Sequence, residues 1–287
     1  MICFPNAKIN LGLRVLRKRS DGYHDIETVF VPIPLTDILE LVPVVKPMHD
    51  NPFLSLGADC RLYYSYSGYQ FIGNAEEDLT VRACRLYAQK FGVSTSLHLH
   101  LHKNIPSGAG LGGGSSDAAH ALKLLNELEG NKADTSELLQ MAASLGSDCP
   151  FFIWNKPCYA TGRGEVLSEF DCSLAGCHLV MVKPPFGVAT AEAYSGVHID
   201  SKHEPFVSLK ELLLQPRTQW EASVFNDFEP GVFQKHPRLN EIKSELYKRG
   251  AFYASMSGSG SAMFGLFLDT PDISGCFNDD FTFMVTL

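Results

Sequence analysis

Residues 104–122 read NIPSGAGLGGGSSDAAHAL, and five of seven consecutive positions, 108, 110, 112, 113 and 114, are glycine. Glycine loses more conformational entropy on ordering than any other residue, so a fold keeps such a run only where something comes very close to the main chain. A helical pattern follows at once, with Ala118, Ala121, Leu122, Leu125 and Leu128 on one face. A side-chain-free loop that feeds a helix points several N–H groups and the positive end of the helix dipole at an anion. A tight turn with no ligand explains two glycines but hardly five. The run reads as a phosphate-binding loop.

The kind of phosphate loop is narrowed by elimination. Gly108, Gly110 and Gly113 fit G-x-G-x-x-G, with Glu127 at the distance where a dinucleotide site places its acid. However, the preceding strand alternates polar and apolar residues, whereas the first strand of a parallel dinucleotide sheet is buried on both faces. A Walker loop fails because no Gly-Lys-Ser/Thr closes the run. The protein-kinase set fails because the chain has no HRD or DFG triplet. Ser115 and Ser116 add hydroxyls suited to a phosphate oxygen or a magnesium ion.

The rest of the chain sets limits on the ligand. It has 287 residues, enough for two domains or one large one, with 45% hydrophobic and 20% charged residues. A net charge of -8 supplies no global basic field for nucleic acid or an anionic membrane, so phosphates must be gripped locally. Eight cysteines without a CxxC pair read as reduced, mostly buried thiols. No apolar run approaches the roughly 18 residues needed to span a bilayer, and MICFPNAKINLGL lacks secretory-signal features. The expected compartment is cytoplasmic.

Strands and helices mix without a regular βαβ period, which predicts an α+β fold. KINLGLRVL, IETVFVPI and DILELVPVV read as strands, and NAEEDLTVRACRLYAQKFG as a helix capped by Asn74 with Glu77 and ended by Gly92. In STSLHLHLHKN, leucines 97, 99 and 101 share one face and histidines 98, 100 and 102 the other. Successive histidines there stand nearly 7 Å apart, too wide to share an ion unaided, so a half-exposed strand is expected. Asp134, Glu137 and Gly146 frame a further helix. CHLVMVKP, FYASM and SAMFGLFL read as strands, LKELLLQ and RLNEIKSELYKRG as helices. A division into 1–158 and 159–287 is expected, and the tail DDFTFMVTL receives no role.

Three stretches in order, PNAKIN at 5–10, PSGAGLGGGSSDAA at 106–119 and SMSGSGSAMF at 255–264, resemble the motifs of the galactokinase, homoserine kinase, mevalonate kinase and phosphomevalonate kinase superfamily. GLGGGSS, RSDGYHDIETVF at 19–30 and LGSDCPFF at 145–152 are similar to its 4-diphosphocytidyl-2-C-methyl-D-erythritol kinase branch. The resemblance implies a two-domain α+β sandwich with the active site in the inter-domain cleft. It also implies phosphorylation of the 2-hydroxyl of a small-molecule substrate, a cytidine-diphosphate methylerythritol, by ATP with Mg2+ in the non-mevalonate route to isoprenoids.

Residue by residue, Lys8 and Asp148 match the family's catalytic pair, and Asn10 a substrate-positioning residue. Tyr23 and His24 look like its cytosine-recognition pair, with Thr190 as a polar contact and Tyr194 as a second stacking ring. The ATP loop would comprise Pro106, Ser107, Gly108, Ala109, Gly110, Leu111, Gly112, Gly113, Gly114, Ser115 and Ser116. Gly258, Ser259 and Gly260 would close its other side, and Ser115 and Ser116 are the magnesium candidates. Asp117 stands where relatives often carry Asn, and Asp78 where an Asn-Leu pair is common, so each adds a carboxylate near a nucleotide site. A mevalonate- or homoserine-type kinase would not need the DGYH element. A catalytically silent nucleotide-binding module would not need both Lys8 and Asp148.

Overall fold

The computed structural model describes residues 1–44, 53–57, 60–69, 73–197 and 207–287. In chain order the strands are β1 (Ile2–Cys3), β2 (Asn6–Lys18), β3 (His24–Thr36), β4 (Ile38–Val44), β5 (Leu54–Ser55), β6 (Arg61–Gly68) and β7 (Ser96–Lys103). They continue with β8 (Cys158–Thr161), β9 (Val166–Glu169), β10 (His178–Lys183), β11 (Tyr253–Met256), β12 (Met263–Phe267) and β13 (Phe281–Thr286). The helices are α1 (Leu79–Phe91), α2 (Gly113–Leu128), α3 (Thr135–Leu145), α4 (Cys149–Trp154) and α5 (Thr190–Ser195). After them come α6 (Leu209–Leu213), α7 (Trp220–Ser223), α8 (Glu229–Lys235) and α9 (Pro237–Lys248).

The chain divides into two compact units that interleave along the sequence. The first holds Met1–Ala7, Leu35–Ser107 and Gly112–Lys156; the second holds Lys8–Pro34, Gly108–Leu111 and Pro157–Leu287. A single cut after residue 158 therefore nearly meets the Lys156/Pro157 change-over. It assigns the β2–β3 hairpin and residues 108–111 differently, because β3 pairs with β8 and Ala109 O accepts from the Ala262 amide.

In the first unit, a five-stranded sheet runs β1-β4-β7-β6-β5 with helices α1 to α4. Leucines 97, 99 and 101 of β7 are at most 1% exposed, as the alternation requires, and each contributes about 2 kcal/mol of burial. The opposite face carries a hydrogen-bonded ladder. Ser65 of β6 lies 3.1 Å from His98 and 2.7 Å from His100, and Ser67 lies 3.0 Å from His100 and 2.8 Å from His102. Cross-strand serines thus satisfy the histidines, as a half-exposed strand predicts.

The α1 start differs from expectation. Asn74 caps only a short 3₁₀ turn, Ala75–Glu77, and the true cap is Asp78, which accepts from the Thr80 amide at 2.7 Å. Asp78, four residues further on, also carries capping chemistry and stands directly before the first residue of α1. The Asp134–Glu137 capping box and the Gly146 stop of α3 form as expected.

The second unit contains the sheets β2-β3-β8-β9 and β11-β12-β10-β13. Its core joins Leu13, Val15 and Ile26 to Val180, Val182, Met256, Met263 and one face of α9, Leu239, Ile242 and Leu246. The tail acquires a role here. Phe281–Thr286 pairs antiparallel with all of β10, and the Leu287 amide bonds Cys177 at 2.9 Å. All eight cysteines are free thiols. Among the described residues no helix is long and apolar enough to cross a membrane.

Candidate active site

In the first unit the glycine run becomes the start of α2. Its N-cap, Gly112, sits in the left-handed region at φ 71°, and no side chain caps the helix. The first intrahelical bond is from Ser116 N–H to Gly112 O, 2.9 Å. The amides of Gly113, Gly114 and Ser115 precede that bond and point out of the helix end, where an anion is stabilised.

The glycines at this end differ in what surrounds them. A Cβ on Gly113 would meet Ile105 Cγ2 at 3.0 Å and Lys103 Nζ at 3.2 Å, so its bare face looks into the protein. A Cβ on Gly114 would have only Leu79 Cδ1, at 3.9 Å, so its face opens outward. The two serines also part company. Ser115 is half-buried with its side chain hydrogen-bonded to Cys149, whereas Ser116 is fully buried with its hydroxyl 3.4 Å from His120 Nδ1. The two candidate hydroxyls thus differ in exposure, Ser115 being the more open.

Beneath α2, Lys103 Nζ donates to both Asp37 and Asp117, the latter at 2.6 Å, and all three side chains are at most 5% exposed. Asp37 is held further by the amides of Asn104 and Ile105 at 2.6 and 2.8 Å. Asp117 has the weaker position, since its Oδ1 is buried without a hydrogen-bond partner. Burial raises its pKa well above the carboxylate range, and the nearby Asp37 adds to that while Lys103 opposes it. Both departures from the family pattern are thus engaged in the fold. Asp117 pairs with Lys103, and Asp78 caps α1 while accepting from Tyr64 at 2.9 Å.

Asp148 stands at the N-cap of α4, yet its side chain makes no capping hydrogen bond. An ordinary N-cap Asp would spend its carboxylate on the first helical amides. This one does not.

In the second unit, Lys8 and Asn10 share one face of β2, and both are 2% exposed. Lys8 Nζ donates to Asn10 Oδ1 at 2.5 Å and to the Gly110 carbonyl at 3.0 Å, and lies 5.0 Å from the Phe30 ring centroid. Residues 108–111 are stitched into place by backbone. Leu111 O accepts from Lys8 N at 3.0 Å, and Ala109 O accepts from Ala262 N at 3.1 Å. Ser257 Oγ donates to Gly110 O at 2.9 Å, and Gly258 packs so that a Cβ there would stand 3.4 Å from Asn10 Oδ1. The first and third motifs and the front half of the glycine run are therefore one cluster. Thr190 heads α5, with its hydroxyl 3.3 Å from that of Ser259.

His24 lies flat on Tyr194, with centroids 4.5 Å apart at 14°, while Tyr23 is 55% exposed beneath the Arg163 guanidinium, 4.9 Å from its centroid. Tyr194 also takes Phe228 edge-on at 4.8 Å. His24 and Tyr194 are therefore the stacked pair, and Tyr23 pairs with a cation.

Sequence reasoning missed the segment FNDFE, 225–229. Asn226 Nδ2 donates to Met256 O and Gly258 O, both at 2.8 Å, and holds the third motif from behind. Glu229 accepts from Ser255 Oγ at 3.0 Å and from the Met256 amide at 2.8 Å, and Asp227 accepts from Val15 N at 2.8 Å. Two carboxylates and an amide within four residues, ahead of a helix, were the available signal.

A phosphate-ready helix end, a buried lysine and a glycine-rich third motif define a small-molecule kinase, and sequence comparison agrees. The models for the GHMP kinases N terminal domain and GHMP kinases C terminal match residues 78–156 and 208–275. Relatives named 4-diphosphocytidyl-2-C-methyl-D-erythritol kinase are 48% identical in Bacteroides fragilis, covering 93% of this chain and 92% of that protein. One in Porphyromonas gingivalis is 44% identical, covering 95% and 94%. A crystal structure of 4-(cytidine 5'-diphospho)-2C-methyl-D-erythritol kinase superposes with a TM-score of 0.75 at 33% identity, covering 93% and 90%. Methanococcus jannaschii mevalonate kinase shares the fold at a TM-score of 0.67 and 12% identity, covering 100% and 98%. The chain belongs to the GHMP kinases, and within them to the 4-diphosphocytidyl-2-C-methyl-D-erythritol kinase family.

Proposed function

We propose that the chain transfers the γ-phosphoryl group of ATP to the 2-hydroxyl of 4-diphosphocytidyl-2-C-methyl-D-erythritol, a step of non-mevalonate isoprenoid precursor synthesis. The observation that supports this reading is the buried Lys8 ammonium, held by Asn10 Oδ1 at 2.5 Å and by the Gly110 carbonyl of the glycine run at 3.0 Å. Asp148 accepts the proton of the 2-hydroxyl as its oxygen bonds to the γ-phosphorus. The bond between that phosphorus and the β–γ bridging oxygen breaks, and ADP leaves. Lys8 orients the hydroxyl and offsets the negative charge spread over the transferring group.

The amides of Gly113, Gly114 and Ser115 receive the polyphosphate. Magnesium is usually held by one or two protein oxygens together with substrate phosphates, and Ser115 and Ser116 are the loop hydroxyls that would supply them, Ser115 being the more exposed. The cation supplies neutralisation of phosphate charge. Tyr23, His24 and Tyr194 supply stacking and a base-edge hydrogen bond for cytosine, with Thr190 as a polar neighbour. His24 covers one face of the Tyr194 ring.

Turnover with magnesium-ATP tests the reading. The cytidine substrate should be phosphorylated and mevalonate and homoserine left untouched. Asp148→Asn should lose on the order of 10²-fold or more in kcat while binding ATP normally by calorimetry. Near-native turnover by that variant would remove Asp148 from the mechanism, and turnover of mevalonate or homoserine alone would move the substrate assignment.

A further inference from the structure

We propose that Thr28 is a positioning residue: its hydroxyl fixes the Asn10 amide so that oxygen faces Lys8. The inference rests on the reading of Lys8 as a catalytic residue.

The hydrogen-bond inventory leaves one arrangement. Thr28 Oγ1 lies 2.6 Å from the carbonyl oxygen of Gly12. A carbonyl only accepts, so the single hydroxyl proton of Thr28 is committed there. Toward Asn10, 2.9 Å away, the hydroxyl oxygen can then only accept, and the atom facing it must be Nδ2. That turns Oδ1 toward Lys8 Nζ at 2.5 Å, where an ammonium, having three donors and no acceptor, requires an oxygen. The two ends of the amide demand the same orientation.

Flipping the amide by 180° would keep its shape and fail at both ends. Nδ2 would face the lysine, donor against donor, and Oδ1 would face a hydroxyl with no proton to give. Burial makes that failure costly, because Lys8 and Asn10 are 2% exposed and Thr28 0%. The base of the relay is itself anchored. Gly12 belongs to β2, and its amide donates to the Tyr253 hydroxyl at 3.3 Å, so the accepting residue is held at its N–H as well as at its carbonyl. Residues 8, 10 and 12 share one face of β2, and Thr28 comes from the neighbouring strand β3. The relay therefore runs from rigid sheet to amide to ammonium. Its function is to hold Lys8 Nζ within the narrow tolerance that phosphoryl transfer needs, since a misplacement of about 1 Å can cost about 10²-fold in rate.

The decisive experiment is steady-state kinetics on Thr28→Val, Thr28→Ser, Thr28→Ala, Asn10→Ala and the Thr28→Val/Asn10→Ala double variant, each with a thermal melt. Thr28→Val replaces the hydroxyl with a methyl group and should lower kcat by about 10- to 100-fold while KM for both substrates moves less than about twofold. Thr28→Ser should restore kcat. In the Asn10→Ala background, Thr28→Val should cost almost nothing further, because a relay acting through the amide is already cut. If Thr28→Val fails to fold, the same pattern is read from Thr28→Ala.

Retention of kcat by folded Thr28→Val, or an equal loss with and without Asn10, would overturn the inference. So would failure of folded Thr28→Ser to restore the rate. Lys8→Ala separates this from the underlying reading. If it keeps near-native kcat, the catalytic assignment of Lys8 fails. If it is dead while Thr28→Val is fully active, the positioning role alone fails.

Discussion

The glycine run contains two halves built for different reasons. Residues 108–111 are held by the protein's own backbone, with the carbonyls of Ala109, Gly110 and Leu111 all accepting from neighbours in the same unit. Gly110 is glycine because the Ser257 carbonyl fills the place of its side chain, at a φ of +72°. Residues 112–116 instead begin a helix that no side chain caps. Glycine in the first half answers to the fold, and at Gly114 to whatever lies outside it. Glycine density alone cannot separate these causes; the atoms around each Cβ position can.

The largest effect should come from removing what lies under the second half. Lys103→Met leaves Asp37 and Asp117 buried without their cation, which should cost about 3–5 kcal/mol in chemical denaturation. Two buried acids then bind protons more tightly folded than unfolded. The variant should accordingly be more stable at pH 5 than at pH 8.

Next in size, Gly110→Ala should cost about 2 kcal/mol or more, through positive-φ strain and the encounter with the Ser257 carbonyl. A melt unchanged from the parent would mean that the first half is not stitched as described.

A smaller change is expected from Asp117→Asn. A carboxyl group whose folded pKa is raised contributes stability below its unfolded pKa and loses it as pH rises through the folded value. The parent should thus lose stability as pH climbs above about 4, and the variant should show a flatter profile with ATP binding retained. A steeper profile in the variant would reverse the assigned direction.

Much of this was legible in the sequence, and the failures have physical causes. Alternation in β7, the α3 capping box and the helix after the glycine run were readable because each is a local pattern. The α1 cap was misplaced because Asn74 and Asp78 both satisfy local capping chemistry. The different burial of Ser115 and Ser116 was hidden because adjacency in sequence conceals a helical rotation of about 100°. The stacking of His24 on Tyr194 was not legible, because it depends on a contact made across more than 160 residues of chain. Asn226 and Thr28 act on backbone and amide groups far along the sequence, where no spacing rule announces them.

The central claim is that the uncapped start of α2 is where the nucleotide phosphates bind, and Gly114→Val tests it most directly. Calorimetric titration with magnesium-ATP and a thermal melt should be run on the same sample. The side chain would enter open space beside the first-turn amides, so ATP binding should fall at least about tenfold while the melting temperature shifts by only a few degrees. Unaltered ATP affinity in the folded variant would contradict the claim and leave the second half of the run, like the first, as a feature of the fold.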